Sequence, residues 1–172
     1  MRCLTALALA ILLSACATDS YPLLGTGASQ ANPVAVGSSV PAVVLYLQPR
    51  PDDRLELVSA EAIGSLDGAD VRFFFSPSVT DGLGNHVIGE RLEPLVGVVV
   101  PAAPAASDGP DRTVGIVAEV TPRRAGSFSI TGVRLRLRIN GGREEVRTGI
   151  TTRLYVCAAT PAPTDCGVPE SP

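Results

Sequence analysis

The chain has 172 residues, 45% of them hydrophobic, with 17 glycines, 15 prolines and a formal charge of −3. That length supports one domain with a sizeable core, and the mild acidity excludes a dedicated nucleic-acid binder, whose domain is normally basic. Every basic side chain is arginine, a bias that a GC-rich genome explains and from which no function follows.

Arg2 opens a short apolar run, Leu4 to Leu13, which ends in Leu13-Ser14-Ala15-Cys16. A membrane-spanning helix needs roughly 20 apolar residues, so this run is too short to be one. A basic start, a short apolar core and small residues before a cleavage point are the pattern of an export signal. The stretch resembles the lipobox of bacterial lipoproteins. The resemblance implies that residues 1–15 are a signal peptide, that cleavage follows Ala15, and that Cys16 begins the mature chain. It further implies a diacylglyceryl thioether on Cys16, and so a protein lipid-anchored to the extracytoplasmic side of the cell membrane.

Residues 16–39 are rich in Gly, Ser, Ala, Pro and Asn, with little periodicity, and read as a flexible tether. After it come short runs of alternating polarity. Val43, Leu45 and Leu47 alternate with Val44, Tyr46 and Gln48. A second run starts at Leu55 and Leu57 and ends near Ile63. Val71, Phe73 and Phe75 alternate with Asp70, Arg72 and Phe74. Residues 86–100 hold a further run, broken near Pro94. Val114, Ile116, Ala118 and Val120 alternate with Thr113, Gly115, Val117 and Glu119. These are strands bounded by turn residues, and no stretch has the period of an amphipathic helix.

The strongest pattern comes next. Val133, Leu135, Leu137 and Ile139 share one face, and Arg134, Arg136 and Arg138 the other. Asn140-Gly141 or Gly141-Gly142 then supplies a tight hairpin turn. Either two-residue turn sets Val146 opposite a core leucine, Leu135 or Leu137, and gives Arg147 and Arg153 the outward parity of the arginine face. Gly149 is the position for a bulge in the return strand. The whole predicts an all-β sandwich of about seven antiparallel strands over residues 40–158, followed by a Pro-rich tail, 159–172. The stretch Gly126 to Leu135, with the glycine turn and Leu154-Tyr155-Val156-Cys157-Ala158, resembles the C-terminal half of immunoglobulin-like domains in uncharacterised actinobacterial exported proteins. That resemblance implies an immunoglobulin-like fold and carries over no functional residue.

Once Cys3 leaves with the leader and Cys16 takes the lipid, Cys157 and Cys166 remain as an even pair. In an exported chain they are candidates for a disulfide, the alternative being two free thiols. Their spacing is not that of a redox Cys-x-x-Cys motif. Cys157 shares the outward parity of Arg153 and Tyr155, where its sulfur could staple the tail to the sheet.

Catalytic chemistry finds little support. The domain has no Gly-x-Ser-x-Gly elbow and a single histidine, His86, in a turn-rich stretch. Neither a zinc ligand set nor a twelve-residue calcium loop is visible; Asp81 with Asn85, or Asp108 with Asp111, could offer calcium oxygen ligands from a loop, but local hydrogen bonding in turns suffices to explain them. The expectation is therefore a non-enzymatic binding or accessory module with no metal and no cofactor. Its partners would be the membrane, through the anchor, and an envelope protein or an anionic envelope polymer. Arg134, Arg136, Arg138, Arg147 and Arg153 are the candidate anion-binding residues; the competing reading is a face neutralised by acidic residues on neighbouring strands. An alternative function is a small-ligand or metal carrier using the His86 loop.

Overall fold

Alternation decides where each strand puts its side chains. In the run from Val114 to Pro122, Ile116, Ala118 and Val120 are at most 1% exposed on one face, while Glu119 and Thr121 reach solvent on the other. The computed structural model describes residues 23–24, 28–50, 52–77, 92–102 and 113–166. Their strands are β1 (Leu23–Leu24), β2 (Ala28–Ala35), β3 (Val40–Leu47), β4 (Leu55–Ser65), β5 (Ala69–Ser76) and β6 (Glu93–Pro94). They continue with β7 (Val99–Val100), β8 (Val114–Pro122), β9 (Gly126–Ile139), β10 (Glu144–Gly149) and β11 (Thr152–Ala159).

One sheet runs β1-β3-β8-β5-β6, the other β2-β11-β9-β4-β7, with β10 paired to β9 alone. The triple β3-β8-β5 facing β4-β9-β11 is the two-sheet order of an immunoglobulin domain. The fold is an immunoglobulin-like β-sandwich. Among the described residues it has no inter-sheet disulfide, and the chain has no tryptophan; apolar packing fills the space between the sheets. Leu45, Leu47, Leu55, Leu57, Ile116 and Leu137 fill one half of the interlayer. Val44, Val120, Phe128, Ile130, Leu154 and Val156 fill the other.

Two turns, from β4 to β5 and from β8 to β9, cross between the sheets side by side. Arg123 N–H donates to Gly68 O at 2.8 Å, and Arg124 pairs with Asp67 at 2.9 Å. Gly68 sits at φ +83°, a backbone conformation that favours glycine at this crossing. Along one side edge, residues 93–100 pass from β5 to β4. They drop Leu95, 2% exposed, into the core and bond to Leu57 through Val98 O and Gly97 N, each at 2.9 Å.

Four sequence expectations change. First, residues 28–35 are not tether. They form β2, parallel to β11 from Ala28↔Thr152 to Ala35↔Ala159, with Val34 buried in the core. Second, the seven or so strands expected over 40–158 are β3, β4, β5, β8, β9, β10 and β11; β2 and the two-residue β1, β6 and β7 join them to make eleven among the described residues, and the β2–β11 pair is parallel. Short β1, β6 and β7 are edge pieces that tertiary docking creates.

Third, the hairpin register is one residue away from both expected turns. Asn140 (φ 52°) and Gly141 (φ 71°) do form the turn, closed by Gly142 N–H to Ile139 O at 2.8 Å. One further residue then bulges before Glu144 pairs with Arg138. A slip of one residue turns a strand over, so Val146 lies opposite Arg136 and is 52% exposed, while Arg147 lies opposite Leu135. Fourth, the return strand is not one bulged strand but two. The chain leaves β9 at Ile150–Thr151, and Thr151 bonds β3 of the other sheet before β11 resumes with Leu154 and Val156 inward.

Candidate binding surface

The outer face of β9 presents the three predicted arginines in a row. Each has a carboxylate partner. Arg134 Nη1 donates to Glu61 at 2.7 Å and Arg138 Nη1 to Glu56 at 2.8 Å, both across to β4. Arg136 donates to Glu144 on β10 at 3.2 Å, and Arg138 reaches the same carboxylate at 3.7 Å. The other sheet repeats the device: Arg72 pairs with Glu119, and Arg123 with Asp70. Such exposed pairs each contribute about 0.2–1 kcal/mol, but they cancel the positive potential that would draw an anion. Geometry therefore favours the neutralised sheet face over an anion site.

Arg147 does not belong to that face. The register slip turns it to the core side of the sheet with Glu145, to which its Nη2 donates. Its Nε is buried without a hydrogen-bond partner. Arg153 does point outward on β11, in the same parity as Tyr155 and Cys157. The five arginines are thus split between two faces.

Cys157 and Cys166 form a disulfide, with Cα atoms 5.6 Å apart. It draws the segment after β11 back over the outer face and leaves Cys166 only 5% exposed. The Asp165 side chain accepts a hydrogen bond from the Cys166 N–H at 2.7 Å. Sequence parity correctly gave Cys157 its outward direction.

Cys16, Ala15 and His86 lie outside the described residues, as do Asp81, Asn85, Asp108 and Asp111. Among the described residues no group of three His, Cys, Asp or Glu side chains could hold a metal ion. An open hollow beside β5 and β6 is lined by Phe75, Glu93, Pro94 and residues 96–99, and among the described residues Glu93 is its only ionisable group. Among the described residues the one perturbed titratable group is structural: burial raises the Tyr46 phenol above its ordinary value. Sequence reading missed one feature, the side edge formed by β10. Its backbone has no neighbour beyond β9 among the described residues, and Val146 stands exposed on it.

No family model matches the chain, and no curated protein matches it. Among solved structures it is similar to the ASH / PapD-like domain of human CEP192 (PapD-like domain 7). That match has 11% identity and a TM-score of 0.39, covering 81% of this chain and 86% of that one. It is also similar to the Proteus mirabilis Ambient Temperature Fimbriae adhesin AtfE, at 12% identity and a TM-score of 0.27 over 79% of this chain and 100% of that one.

Proposed function

We propose that the protein is a lipid-anchored, extracytoplasmic binding module that acts by contact with another envelope component rather than by catalysis. The Cys157–Cys166 disulfide carries this reading. Such bonds persist in oxidising compartments outside the cytoplasm, in agreement with the export signal and the lipobox-like Leu13-Ser14-Ala15-Cys16. The self-neutralised arginine rows point the contact away from anionic polymer and towards a protein, met by a sheet edge or by loops.

The strands β1 and β2 shorten the tether. Cys16 and Leu23 are seven positions apart, a reach of at most about 25 Å. The module is thereby held at the bilayer surface, where it meets membrane-bound partners more readily than soluble ones.

Detergent phase partition and in-cell cross-linking test the proposal together. The wild-type chain is expected in the detergent phase and cross-linked to an extracytoplasmic protein, and Cys16→Ala is expected to move it to the aqueous phase. An intact Met1 on protein from its own host, or partition unaffected by Cys16→Ala, would overturn it.

A further inference from the structure

The β10 edge is self-complementary. We propose that β10 pairs antiparallel with β10 of a second copy, across a two-fold axis at Val146. This names the occupant of the open edge and leaves the end loops for the envelope partner of the proposed function; it does not depend on the lipid anchor.

The argument begins with parity. A two-fold axis perpendicular to the sheet keeps each face continuous, so opposed residues must share a face. Residues 144, 146 and 148 are exposed and alternate with the half-buried 145, 147 and 149, so the axis must pass through a residue position. An axis at Glu145 opposes two glutamates, and an axis at Arg147 opposes two arginines. An axis at Val146 opposes Glu145 to Arg147 twice, Glu144 to Thr148 twice, and Val146 to itself.

Inward charges on an edge strand usually block further pairing. Charges of opposite sign two residues apart behave differently, because antiparallel self-pairing brings each opposite its complement. The orphaned Arg147 Nε is the second observation. Buried donors are rarely left unpaired, and Glu145 of the second copy would supply the missing acceptor. The 52% exposed Val146 would be covered by its counterpart.

The test uses the chain from residue 16 with Cys16→Ser, so that neither lipid nor a free thiol contributes. Sedimentation over a concentration series should show a monomer–dimer equilibrium. Glu145→Arg and Arg147→Glu, each alone, should weaken it by about tenfold or more through like-charge opposition. Mixing the two variants should restore a heterodimer, which also shows that both are folded. Val146→Cys should form a disulfide with itself on oxidation, and Thr148→Cys should not. A wild-type chain monomeric throughout, or dimerisation unchanged by either single reversal, would overturn the proposal while leaving the anchor untouched.

Discussion

The hydroxyl of Thr151 accepts a hydrogen bond from the Tyr46 backbone N–H at 3.0 Å, across 105 residues of chain. The Thr151 N–H donates in turn to Val44 O at 2.8 Å. A fully buried threonine thus laces the two sheets together at the point where the chain leaves β10 for β11. Thr151→Val keeps the shape and removes the acceptor, leaving a buried N–H unpaired. The expected loss is about 1–3 kcal/mol, read from urea denaturation, and Thr151→Ser should recover most of it.

Tyr46 gives an alkaline signature. Burial raises its pKa above the ordinary tyrosine value of 10.0, so the folded state keeps a proton that the unfolded state releases. The neutral phenol's contribution is complete below the unfolded pKa and is lost as pH rises through the folded one. The chain has no lysine, so no ε-amine obscures this window. Stability measured from pH 9 upward should fall, and the slope should be shallower in Tyr46→Phe. Identical slopes would show that the phenol is not the group responsible.

The disulfide should matter for stability. Its ends are nine positions apart, and closing a loop of that size is worth about 2.5–3 kcal/mol in the chain-entropy treatment. Cys157→Ser/Cys166→Ser, or a reductant, should lower the denaturation midpoint accordingly. The sandwich should survive, because its packed core does not include the clip.

The paired arginines predict an asymmetric mutational result. Replacing Arg134, Arg136 and Arg138 with serine should leave adsorption to anionic vesicles unchanged, since Glu56, Glu61 and Glu144 already neutralise them. Replacing those three glutamates with glutamine should increase adsorption and make it salt-sensitive. Loss of adsorption in the arginine variant would restore the anion-binding reading.

Period-2 alternation was enough to give the all-strand class, the inward rows Ile116-Ala118-Val120 and Val133-Leu135-Leu137, and the outward direction of Arg134, Arg136, Arg138 and Cys157. These follow from the sequence alone because side-chain alternation is a local property of an extended chain. Tertiary contact decided the rest. Segment 28–35 is polar and turn-like in composition, yet it becomes a strand because β11 offers it a parallel edge and the core accepts Val34. The hairpin register turned on one bulged residue after Asn140-Gly141, which several loop geometries could have accommodated. That single residue exposed Val146 and carried Arg147 to the opposite face. Pairing and register depend on which distant backbone is within hydrogen-bonding reach, and only the folded chain brings those partners together.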